Sequence, residues 1–174
     1  MSFDVFFQTC NISERFEERI NPFTGKTIQS PVGECVTDAE RQSLKTILAA
    51  AGAKDPNENG CYLPQLPDGS RAEAYFGGLA DDPHFSGGMI ALRGLSIELT
   101  RFMWALADSG NLVILPAMEG NSKIVTSTIN ARRVATRWPN ATVAQSPDEL
   151  HLILAKGCDG WKHYRDQVLR RTNG

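Results

Sequence analysis

Little in this chain is in excess, and each shortage excludes something. Its 174 residues include only four cysteines, Cys10, Cys35, Cys61 and Cys158, and no two of them form a Cys-x-x-Cys pair. That spacing excludes a local zinc knuckle or a thioredoxin-type redox motif. Nothing marks an oxidising compartment, so the expectation is free thiols, buried or half-buried. Charge of one sign is also lacking. The 18 Lys and Arg stand against 20 Asp and Glu, for a formal charge of −2, so no global field draws the chain to nucleic acid. No apolar run approaches the roughly 18 residues of a membrane span, and the first residues are not a basic stretch followed by an apolar one. A cytoplasmic protein without membrane contact is expected.

Catalytic patterns are missing as well. No serine sits in a Gly-x-Ser-x-Gly elbow. Gly25-Lys26-Thr27 ends like a phosphate loop, but Ile20 stands where that loop needs its first glycine, so a turn is the better reading. Cys158 lies between Gly157 and Asp159, and a neighbouring carboxylate opposes thiolate formation. His84, His151 and His163 occupy unrelated contexts. No metal ligand set and no cofactor is expected, and the lack of a catalytic set points away from an enzyme.

What is present is a core-forming chain: 41% hydrophobic and 22% charged, a balance that buries a sizeable interior and suits one domain spanning 1–174. Its organising stretch is Met89 to Asn121. Met89-Ile90-Ala91-Leu92 is an apolar run, Ile97 to Asp108 is amphipathic, and Leu112-Val113-Ile114-Leu115 is a second apolar run. Strand, helix and strand follow, with the two strands parallel across a right-handed crossover. Ser96 is the expected N-cap, and Leu99, Phe102, Met103 and Leu106 the buried stripe.

Earlier, Phe3, Val5 and Phe7 alternate with Ser2, Asp4 and Phe6, which predicts a near-central strand. Asn11-Ile12-Ser13-Glu14 resembles a capping box, and Ile12, Phe16 and Ile20 recur every four residues, so a short helix is expected there. Pro22, Gly25, Pro31 and Gly33 then mark a surface arm, placed over 10–35. Thr37-Asp38-Ala39-Glu40 opens a second helix, with Leu44, Ile47, Leu48 and Ala51 facing inward. Cys61–Leu66 and Arg71–Phe76 flank the turn Pro67-Asp68-Gly69-Ser70. That hairpin should lie at a sheet edge, because Pro64 cannot donate to a ladder. Gly77 to Gly88 is expected to be a mobile loop.

Beyond Asn121 the spacing predicts a short helix over Thr128–Arg137 and a short strand over Ala141–Gln145. Ser146-Pro147-Asp148-Glu149 is a strong helix start. A C-terminal helical extension is placed over 157–174. The fold class expected is α+β: a two-layer sandwich of one mixed sheet with helices mainly on one face.

Candidate site residues follow from position and charge. Met118, Glu119 and Asn121 lie in the loop Pro116-Ala117-Met118-Glu119-Gly120-Asn121, just past the carboxyl end of a buried strand, where open α/β sheets bind ligands. His84 is a candidate companion of Glu119. Arg132, Arg133 and Arg137 precede Trp138, and residues 156–174 carry five basic against two acidic side chains. Arg and Trp are over-represented as anchors of protein interfaces, so a protein partner is favoured over nucleic acid.

The opening Met1-Ser2-Phe3-Asp4-Val5-Phe6-Phe7-Gln8 and the run Val113-Ile114-Leu115-Pro116-Ala117-Met118-Glu119-Gly120-Asn121 resemble a group of small, uncharacterised bacterial proteins. The likeness extends to the turn at Pro67-Asp68-Gly69 and to Ser146-Pro147-Asp148-Glu149-Leu150, and it is weakest over Cys10 to Cys35. It implies a bacterial source but no chemistry. Size and style also resemble immunity proteins of bacterial polymorphic toxins, which implies direct binding of a cognate toxin. A macromolecule-binding protein is therefore the leading expectation. A small enzyme or small-ligand domain using the Glu119 loop is the alternative.

Overall fold

The structure, a computed structural model, describes residues 3–21, 24–58, 60–117 and 123–157. Nine strands and four helices occupy these residues. They are β1 (Phe3–Thr9), β2 (Ile12–Ile20), β3 (Thr27–Gly33), α1 (Asp38–Ala50), β4 (Cys61–Tyr62), β5 (Ala72–Tyr75), β6 (Gly87–Leu92), α2 (Ile97–Ser109), β7 (Leu112–Pro116), β8 (Ile124–Val125), α3 (Thr128–Val134), β9 (Thr142–Val143) and α4 (147–157). Seven strands form the main sheet, in the order β4-β5-β6-β1-β7-β8-β9, and β2-β3 form a separate two-stranded ribbon. The sheet is mixed, since β8 and β9 pair parallel while the other neighbours pair antiparallel.

The alternation in β1 decides the layers. Phe3, Val5 and Phe7 point into the main core and are almost fully buried, whereas Phe6 on the opposite face is 44% exposed. Leu44 and Leu48 of α1, the stripe Leu99, Met103 and Leu106 of α2, and Leu150 and Leu154 of α4 close over the core face. Burying each such side chain contributes about 1.5–3 kcal/mol. Among the described helices only α3 lies on the other face, where Val113, Val125 and Val134 form a smaller cluster with Cys10. The result is the two-layer α+β sandwich with helices mainly on one face.

Local signals behave as the side chains require. Thr37 and Glu40 make a reciprocal capping box at α1, Ser96 Oγ accepts from Leu99 N at α2, and Ser146 Oγ accepts from Glu149 N at α4. The β4–β5 pair does sit at an edge of the sheet, although its strands are shorter than the flanking sequence suggests and Pro64 falls outside them.

Four expectations are corrected. Residues 12–20 form a strand rather than a helix, paired antiparallel with β3 from Phe16↔Pro31 to Ile20↔Thr27. A four-residue recurrence also keeps side chains on one face of a strand, so partner strand β3 decided between the two. Second, β6 and β7 do run in the same direction, but β1 lies between them and pairs antiparallel with both. The unit is thus interrupted by the N-terminal strand. Third, the expected loop Gly77–Gly88 ends in strand: Gly87 and Gly88 begin β6. The remainder is tied rather than loose, with Leu79 and Phe85 buried and the Arg41 guanidinium donating to the carbonyls of Gly78, Leu79 and Asp82. Fourth, Thr27–Gly33 and Ile124–Val125 form the strands β3 and β8, where the sequence predicts no strand. The expected C-terminal extension lies almost wholly outside the described residues.

Candidate protein-binding surface

The β2–β3 ribbon extends from the sandwich on a defined root. Asn11, expected to cap a helix, anchors it instead. Its side-chain amide donates to Cys35 O (3.2 Å) and Glu40 Oε2 (2.8 Å), and its Oδ1 accepts from Asn111 Nδ2 (2.9 Å). The backbone bond Glu34 N to Asn11 O (2.7 Å) closes the base of the ribbon. At the far end Asn21 organises the reversal: its N donates to Lys26 O (2.9 Å) and its Oδ1 accepts from Thr24 N (3.2 Å). Gly25 there has φ +66°, a conformation glycine adopts without steric cost.

Beyond its root the ribbon shows large apolar side chains to solvent. Phe16 is 51% and Ile20 72% exposed on one face, and Ile28, opposite Arg19 on the other face, is 45% exposed. Charged side chains lie among them: Glu17 pairs with Arg19, and Gln29 Nε2 donates to Glu18 Oε1 (3.1 Å). A two-stranded ribbon without a covered face is marginal in water by itself. Apolar groups held out on such an arm gain most when a second surface covers them.

The basic cluster lies against the same root. Ser127 caps α3, Val134 is buried, and Arg132 and Arg133 are exposed on its outer side. The chain then turns through Trp138 N to Val134 O (2.8 Å), leaving Trp138 half-buried with the Arg137 guanidinium 4.8 Å from its ring centroid. That distance is within reach of a cation–π contact. Arg137 also reaches the ribbon: its Nη1 lies 3.8 Å from where a Cβ on Gly33 would stand. Its pKa is held below the ordinary value, first by burial and then by the charge of Arg19 on β2. Ile12, at the start of β2, packs on the same small cluster as Trp138. Ribbon and basic turn are thus neighbours.

Of the residues expected at a site, Trp138 shares the small cluster at the root of the ribbon and Arg132 and Arg133 are exposed on α3, the helix that leads into it, whereas Met118, Glu119 and Asn121 lie outside the described residues, as do Cys158 and His163. His84 is exposed and stands 3.9 Å from Cys35 Sγ. His151, expected on a polar helix face, is half-buried with Nδ1 3.0 Å from Thr100 Oγ1. That hydroxyl donates to Ser96 O (2.8 Å), so it accepts from the imidazole, which serves here as a link between α4 and α2. Phe16, Ile20 and Ile28 are not legible as contact residues in the sequence, because a helix over 12–20 turns the first two inward.

The described residues line surface clefts, among them the following two. One, of about 430 Å³, is lined by Lys45, Lys54 and Tyr62, and the other, of about 730 Å³, by Leu63, Arg71, Glu73 and Arg93; His84 lines neither. Among the described residues no three potential metal ligands cluster, and no helix is long and apolar enough to cross a membrane. Comparison with family models, with curated proteins and with solved structures gives no match.

Proposed function

We propose that this protein works by binding another protein, with the β2–β3 ribbon and the adjoining Arg132, Arg133 and Trp138 as the contact surface. The observation that carries the reading is the ribbon itself: Phe16, Ile20 and Ile28 are held in solvent on a rigidly rooted arm. Covering what Phe16 and Ile20 still expose would contribute about 1–2 kcal/mol each, and the neighbouring arginines supply the polar rim of such an interface. The resemblance to immunity proteins makes a bacterial toxin the partner class to test first, neutralised by direct binding in the cytoplasm. The alternative, a small enzyme or ligand-binding domain using Glu119, rests on the sequence that follows β7 and lies outside the described residues.

The test is co-purification of the tagged protein from its native host at moderate salt, in parallel with a Phe16→Asp/Ile20→Asp variant. A stoichiometric protein that the variant holds at least roughly thirtyfold more weakly, equivalent to about 2 kcal/mol, supports the ribbon as the contact. A partner held equally by both proteins removes the ribbon from the interface. A monomer without partner moves the weight to the alternative, and a thermal-shift screen of metabolites follows.

A further inference from the structure

We infer that Cys35 and His84 form a thiol modification site, with His84 as the base, that takes up a small disulfide by exchange. The two residues are 49 apart in sequence and come from different loops, the segment between β3 and α1 and the turn before β6. A backbone bond, Val36 N to Phe85 O (2.9 Å), joins the segments one residue beyond each. It leaves Sγ of Cys35 3.9 Å from Nδ1 of His84.

Each partner is held in place. The Cys35 carbonyl accepts from Asn11 Nδ2 (3.2 Å), and the His84 backbone N donates to Asp82 Oδ1 (2.8 Å). Arg41, donating to Asp82 O (2.6 Å) and lying 5.5 Å from the Phe85 ring centroid, fixes the turn on both sides of His84. His84 is exposed and Cys35 half-buried, so a small reagent can reach both. The other described thiols differ. Cys10 and Cys61 are buried, and desolvation pushes Cys10 up to about 12 and raises Cys61. Neither supplies thiolate near neutral pH.

The exchange balances without any group beyond the reagent. The acidic neighbours oppose a standing thiolate, so Nδ1 takes the thiol proton as Sγ attacks one sulfur of RSSR. The S–S bond of the reagent breaks, an Sγ–S bond forms, and the departing thiolate takes the proton back as RSH. Cys35 is thereby oxidised to a mixed disulfide at the expense of the reagent. Charge selects the reagent. Glu34, Asp38 and Glu40 adjoin or follow Cys35 in sequence and Asp81 and Asp82 precede His84; these five carboxylates outnumber the nearby cations Arg41 and Lys45, which keep their charge while donating to loop carbonyls. A cationic small disulfide is therefore favoured over an anionic one.

The experiment uses the full chain carrying Cys158→Ser, treated at pH 7 with cystamine, with neutral hydroxyethyl disulfide or with anionic glutathione disulfide. Adducts are timed by intact mass and located by peptide mapping. The expected result is one early adduct on Cys35, formed fastest with cystamine. It should slow at least about tenfold in His84→Ala and in His84→Gln, and be absent from Cys35→Ser. That factor lies below the usual range for a positioned general base because 3.9 Å is long for a proton-transfer contact. Circular dichroism checks that each variant is folded. Equal rates with and without His84 would overturn the pairing, first modification at Cys10 or Cys61 would overturn the site, and a preference for the glutathione form would overturn the charge argument.

Discussion

At the residue scale, close approach imposes choices that side-chain chemistry does not. A Cβ on Gly87 would stand 2.0 Å from Phe7 O and 3.0 Å from Gln8 Cα, both backbone atoms of the neighbouring strand. Neither moves without separating β1 from β6, so Gly87→Ala should cost about 3 kcal/mol or more in urea unfolding. A wild-type midpoint in that variant would mean that the two strands adjust freely. From the sequence, Gly87 and Gly88 read as loop residues, since glycine signals a break more often than a close contact. Asn11 teaches the same lesson. Its type promised a cap, but its hydrogen bonds need Thr9, Glu34, Cys35, Glu40 and Asn111, and the last four come from distant parts of the chain.

At the element scale, helices that carry their own start signals were legible. Thr37, Ser96 and Ser146 each satisfy a backbone N–H three residues on, a purely local arrangement. Thr37→Ala should therefore cost about 1 kcal/mol in chemical or thermal unfolding. Glu40→Ala should cost more, because Glu40 Oε2 accepts from both Thr37 N and Asn11 Nδ2. If the two variants proved equally stable, the bond to Asn11 would contribute nothing to holding the ribbon on α1. The ribbon is not legible at this scale. Ile12, Phe16 and Ile20 satisfy a helix face and a strand face alike, and the Glu and Arg between them favour a helix. Only the pairing with β3 resolves it.

At the scale of the whole molecule, stability should fall on the alkaline side. Among the described residues, four groups have folded pKa values above their ordinary ones. Burial raises Cys10 and Cys61 from 9.0, the first to about 12, and raises Tyr62 from 10.0; a hydrogen bond to Glu73 raises Tyr75 from 10.0 to about 12. The folded state thus keeps protons that the unfolded state releases. Their contribution is fully present below the ordinary values and lost as pH rises through the folded ones. The urea midpoint should hold steady up to about pH 8.5 and decline from about pH 9 toward pH 12, and Tyr75→Phe should flatten the upper part of that decline. A midpoint unchanged to pH 11.5 would contradict the burial of Cys10.

The sequence by itself determined what depends on neighbours along the chain: the helix starts, the buried stripes of α1 and α2, the alternation of β1 and the edge position of the β4–β5 hairpin. These rest on periodicity and on capping or turn chemistry within a few residues. From them the α+β sandwich with helices mainly on one face was already legible. Tertiary structure alone decided what depends on partners far apart in sequence. It inserted β1 between β6 and β7, turned 12–20 into a strand, brought that ribbon against Arg137 and Trp138, and set Cys35 beside His84. No local preference encodes such meetings; they follow from which surfaces bury one another once the core has closed.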